Sequence, residues 1–93
     1  MSRLRFEWDE RKAFANANKH GVTFDEAKSV FADERAKLID DPDHSEGEER
    51  FVLLGCSSAL RMLVFCHCYR SEGNVIRIIS ARKANAKESK SYP

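Results

Sequence analysis

Apolar and polar positions alternate at the start of the chain, where Leu4-Arg5-Phe6-Glu7-Trp8 reads as a short strand. The period then lengthens. Asp9 is placed to cap a helix running through Lys12, Phe14 and Ala17 to about Lys19, and Gly21 is placed to end it in a left-handed conformation. Thr23-Phe24-Asp25-Glu26 fits a capping box, in which hydroxyl and carboxylate satisfy two backbone N–H groups at the start of a second helix. Val22 and Ala27 flank it as a hydrophobic staple, and Ala27, Val30 and Phe31 form its apolar stripe.

From Ala36 onward the period shortens to that of strands. Ala36–Asp40, Glu49–Gly55, Arg61–Arg70 and Val75–Arg82 are the expected strands, with an acidic loop over 41–48 and a turn at Ser71-Glu72-Gly73-Asn74. Short loops between the last three imply an antiparallel meander. Lys83–Tyr92 reads as a polar helical tail. Helices first and strands later is the order of an α+β domain, and 93 residues make one such domain. Within Arg61–Arg70, alternation puts Met62, Val64, Cys66 and Cys68 on one face, wholly apolar and expected to meet the helices. Arg61, Leu63, Phe65, His67 and Tyr69 share the other face, expected to be open to a partner or substrate. In the last strand Arg77 and Arg82 fall on opposite faces unless a bulge intervenes.

Composition adds little to that outline and charge adds more. A chain that is 42% hydrophobic and 33% charged folds, and its longest apolar run, Met62–Cys66, is far short of the roughly 20 residues of a membrane helix. The N-terminus carries charge without an apolar stretch, so no signal peptide is expected and the chain reads as cytosolic. Net charge is only +1. Yet residues 1–50 hold nine Lys/Arg against thirteen Asp/Glu, and residues 51–93 hold seven against two. Either a basic surface is available to phosphate or an acidic partner, or the halves neutralise one another across the fold. Three cysteines cannot all pair, and Cys66-His67-Cys68 lacks a second half-site to complete a zinc centre, so free thiols and no metal are expected.

Arginines with an imidazole and a phenol on a sheet suit a phosphodiester. Guanidinium groups offer paired donors to phosphate oxygens, and aromatic rings can stack an unpaired base. RNA brings its own nucleophile, the 2′-OH, so a protein need only deprotonate it, neutralise the phosphorane and protonate the leaving oxygen. Glu49, His44, His67 and Tyr69 are the available acid/base groups, and Arg61, Arg77 and Arg82 the available charge stabilisers. That scheme requires no metal or cofactor.

Several segments resemble one family. Phe6-Glu7-Trp8-Asp9 and Lys19-His20-Gly21-Val22-Thr23-Phe24-Asp25-Glu26-Ala27 are similar to the opening of the BrnT bacterial toxins. Asp41-Pro42-Asp43-His44-Ser45 with Glu48-Glu49-Arg50-Phe51 and Gly55 resembles their middle. His67, Arg70 and Ile76-Arg77-Ile78-Ile79-Ser80-Ala81-Arg82-Lys83-Ala84 resemble their closing signature. The resemblance implies a RelE-like fold: two N-terminal helices packed on a small, mainly antiparallel sheet, with a short C-terminal helix. It also implies a metal-independent endoribonuclease of a type II toxin–antitoxin pair, which cuts RNA and inhibits translation. A BrnA-like ribbon-helix-helix antitoxin would neutralise it and would carry any contact with operator DNA. On this resemblance Glu49, Arg61, His67, Arg77 and Arg82 are the expected catalytic residues, and Arg50, Tyr69, Arg70 and Lys83 the expected RNA contacts. Three positions depart from the family: Leu60 stands for its glycine, Cys68 for its threonine and Tyr69 for its acidic residue. A second reading retains antitoxin binding and corepression without cleavage.

Overall fold

The structure is a computed structural model that describes residues 5–39, 50–70 and 73–93. Its elements run β1 (Arg5–Glu7), α1 (Glu10–His20), α2 (Phe24–Lys28), a 3₁₀ turn (Ser29–Ala32), β2 (Lys37–Ile39), β3 (Phe51–Cys56), β4 (Met62–Arg70), β5 (Val75–Lys83) and α3 (Ala86–Lys90). The expected loop over 41–48, His44 and Glu49 lie outside the described residues, as do Ser71 and Glu72. Among the described residues no helix is long and apolar enough to cross a membrane.

Local signals set the helix ends. Asp9 accepts hydrogen bonds from the Arg11 and Lys12 N–H groups at the start of α1, and Gly21 ends it at φ 68°. Thr23 Oγ1 accepts from the Glu26 N–H at 3.1 Å, which is half of the expected capping box. The Glu26 carboxylate completes no box with Thr23 because it turns instead to Arg61 and Ser57. The complete capping box belongs to α3, where Asn85 and Glu88 satisfy each other's backbone N–H groups.

The strands form one five-stranded sheet ordered β1-β5-β4-β3-β2. From β2 to β5 the pairing is antiparallel, as the meander predicts, but β1 lies parallel to β5, so the sheet is mixed. A parallel pair needs a long crossover, and the whole chain between the two strands serves as one.

The helix-facing side of the sheet is the reverse of the expectation. Leu63, Phe65 and His67 of β4 lie under the helical layer with Val22, Phe24, Ala27, Val30 and Ile78, while Phe6, Trp8 and Phe31 close its margin. Met62 and Val64 occupy the other side, where Val52, Leu54, Ile39, Ala84 and Tyr92 join them in a second small core. The misreading has a physical reason. The tail covers that second side, so both faces of β4 are largely buried and alternation loses its power to tell them apart. Leu63 and Phe65 fill the space against the helices, and Met62 and Val64 pack with Ala84 and Tyr92 of the tail.

One irregularity sets the geometry of β5. Cys66 pairs with Ser80 but His67 pairs with Ile78, leaving Ile79 as the extra residue of a bulge. Partners across a ladder share a face, so Arg77 (opposite Cys68) and Arg82 (opposite Val64) both stand on the tail side.

Candidate active site

The tail side of β1, β5 and β4 collects the cationic groups. Arg77 donates from Nη1 to Glu7 Oε2 at 2.7 Å, and Arg70 Nε lies 3.7 Å from the same oxygen. β1 positions Glu7 because its register sets Glu7 directly beside Arg77. Next along β5, Ser80 is exposed and its ladder partner Cys66 is half-buried. Beyond them, Arg82 grips Glu88 of α3 through both terminal nitrogens, at 2.7 and 2.8 Å. The guanidinium holds the Glu88 carboxyl below the usual carboxylate range. Glu88 Oε1 also accepts from the Asn85 N–H, so the same carboxylate caps α3 and orients Arg82.

The other expected site residues stand elsewhere. Arg61 precedes β4 on the far end of the hairpin and is committed to the scaffold. It pairs with Glu26 and donates to the Gly21 carbonyl, tying the α1–α2 corner to the β3–β4 loop. That hydrogen bond lowers the Glu26 carboxyl and raises the Arg61 guanidinium. Lys83 is exposed and pairs across the ladder with Leu63, which puts it on the helix side. Tyr69, 45% exposed, is also on the helix side, edge-on to Phe51 and His67. Arg50 is exposed just before β3.

His67 is the sharpest departure from expectation. Its ring is fully buried among Phe31, Phe51, Phe65 and Tyr69, with centroids 5.2–5.9 Å away. Neither ring nitrogen has a hydrogen-bond partner among the described residues. Burial disfavours the charged form and pushes the imidazole down to about 4, so it is neutral near pH 7. A base must reach the proton it abstracts, and among the described residues this ring is enclosed by aromatic side chains.

Sequence reasoning missed Glu7 and Glu88 because neither stands near an arginine in a regular pattern. Glu88 does carry a readable signal, as the third residue after Asn85 at the start of a helix. Glu7 carries none, since its partner Arg77 is 70 positions away. Among the described residues, then, the tail side of β4 and β5 with their neighbours Glu7 and Glu88 offers three arginines, two carboxylates, a serine and the half-buried Cys66 thiol. Such a set can bind a phosphodiester and move a proton.

The chain was compared with known proteins. A family model described as "Ribonuclease toxin, BrnT, of type II toxin-antitoxin system" matches residues 8–88. No curated protein matches. Among solved structures, the crystal structure of the Brucella abortus ribonuclease toxin BrnT is similar in fold, with a TM-score of 0.64 at 21% identity over 91% of this chain and 99% of that one. The family match spans both strands that carry Arg70, Arg77 and Arg82 and most of the helical layer, and on it this chain belongs to the BrnT family of type II toxin–antitoxin toxins.

Proposed function

We propose that this chain is a metal-independent endoribonuclease that inhibits translation, and that RNA lies across the tail side of β5 on Arg77 and Arg82, with Arg70 at the margin. The observation that carries this reading is the bulge at Ile79, which brings two arginines of opposite parity to one face. Guanidinium groups on one face can hold a scissile phosphate and its neighbour, and can stabilise the charge that develops on the phosphorane. A BrnA-like ribbon-helix-helix antitoxin is the protein partner of this reading, and it alone would contact operator DNA. In this reading Arg61 and His67 support the fold, Arg50 extends the phosphate contacts, and Tyr69 and Lys83 stand outside the catalytic face.

The test is cleavage of labelled RNA by purified protein in EDTA, with and without ribosomes, alongside Arg77→Ala, Arg82→Ala and Arg61→Ala. Wild type is expected to cut. Arg77→Ala and Arg82→Ala should each lose roughly a hundredfold or more of the rate, the scale of removing one electrostatic donor from an active site. Arg61→Ala should lower the unfolding temperature and keep the rate per folded molecule. Equal cleavage by all three variants would remove the tail side from consideration.

One observation favours the second reading, a non-catalytic corepressor: Glu7 and Glu88 already occupy Arg77 and Arg82 as a phosphate would. The two readings separate on expression without a partner, which arrests growth only if the chain is a toxin.

A further inference from the structure

We propose that Glu7 is the general base of the reaction, taking the proton from the 2′-OH of the substrate. The inference rests on the ribonuclease reading above and adds the group that moves the proton. Among the described residues, the carboxylates near β5 and its neighbours sort cleanly by occupation. Glu26 is spent on Arg61 and Ser57 on the helix side. Asp33 accepts from the Cys56 and Arg35 N–H groups and the Tyr92 hydroxyl. Glu88 has both oxygens on Arg82 and one of them on Asn85 as well. Glu7 differs: Arg77 and Arg70 share Oε2, and Oε1 accepts no hydrogen bond among the described residues. Its side chain is 42% exposed on the face that carries the arginines.

That geometry meets what a base for this chemistry needs. Two cations hold one oxygen and fix the plane of the carboxylate, and the other oxygen is left to accept a proton. The same cations stand beside the base, so a phosphate drawn to them brings its ribose within reach. The step balances without a cofactor. Glu7 Oε1 accepts the 2′-OH proton, the 2′-oxygen bonds to phosphorus, and the bond from phosphorus to the 5′-oxygen breaks. The 5′-oxygen leaves with a proton from water, giving a 2′,3′-cyclic phosphate and a 5′-hydroxyl.

The experiment compares wild type, Glu7→Gln and Glu7→Asp on labelled RNA, free and ribosome-bound, from pH 4 to 8. Affinity is measured separately by anisotropy with the all-2′-deoxy version of the same oligonucleotide, which cannot be cut. Glu7→Gln keeps an oxygen for Arg77 and should bind within about threefold of wild type, yet lose about 10²–10⁴-fold in rate, the usual contribution of a positioned base. The pH dependence of the wild-type rate should include a limb that Glu7→Gln lacks. Glu7→Asp should recover part of the rate. A merely structural Glu7 would leave the pH profile in place, and a Glu7→Gln enzyme with wild-type rate or profile overturns the proposal. If wild type itself cuts neither substrate, the ribonuclease reading fails and this inference fails with it.

Discussion

His67 shows how a single side chain can couple the fold to pH. Unfolded, its imidazole has an ordinary value of 6.5; folded, burial takes it to about 4. Below 6.5 the unfolded chain therefore binds a proton that the folded chain refuses. Stability is full above pH 6.5 and falls as pH drops toward 4, by at most on the order of 3 kcal/mol. Glu26 and Glu88, held below their ordinary 4.5 by arginine, weaken the fold only below that value, so among the shifted groups of the described residues the upper window belongs to His67. Denaturant titrations at pH 7, 5.5 and 4.5 should show the fall in wild type and a much flatter response in His67→Leu. At pH 7 that variant should be at least as stable as wild type, since it removes buried polar atoms that lack partners among the described residues, and it should still cut RNA. Leu60 makes a second case. It is 86% exposed at φ 59°, following a turn closed by its own N–H to the Ser57 carbonyl. A hairpin loop of this kind suits glycine, because a β-carbon is strained there. Leu60→Gly should stabilise the protein by about 0.5–1 kcal/mol, a rise of roughly 2–8 °C in unfolding temperature.

At the scale of elements, two joints hold the layers together. Gly55 lets β3 pass beneath the 3₁₀ turn: a β-carbon there would stand 2.6 Å from Val30 Cγ1 and 2.9 Å from Ala36 Cβ. Gly55→Ala should cost about 1–3 kcal/mol by overpacking, measurable by urea unfolding. Asn16 makes the other joint. β1 covers β5 only as far as Arg77, and the buried Asn16 amide takes the place of a further strand at Ala81. It donates to the Ala81 and Val22 carbonyls at 2.8 and 3.0 Å and accepts from the Ala81 N–H at 3.1 Å. Asn16→Ala strands three buried backbone groups and should cost about 2–4 kcal/mol by the same assay. These elements were largely legible in the sequence, because caps and turns are local: Asp9, Thr23 and Gly21 mark their helix ends without help from the fold. The joints were not. Nothing near Asn16 or Gly55 announces a partner that arrives from another strand, and the Ile79 bulge changes which face Arg82 joins without altering the composition of β5.

At the scale of the whole molecule, the uneven charge of the two halves resolves into pairs. Glu26 with Arg61, and Glu7 with Arg77 and Arg70, each join an acid of the first half to a base of the second. Arg82 with Glu88 stays within the second half. The halves thus neutralise one another at Arg61 and again at Glu7, and among the described residues the tail side keeps three arginines against two carboxylates. The candidate site was half legible for the same reason. Arg77 and Arg82 stand out within their strand, whereas the carboxylate beside Arg77 comes from the opposite end of the chain. That placement has a consequence for synthesis. The ribosome makes β1 first and β5 late, so a growing chain holds Glu7 for most of its length with no Arg77 to meet it. On the proposed reading, the unfinished polypeptide is harmless to the machine assembling it, and the toxin comes into being only when its last strand emerges and folds back beside its first.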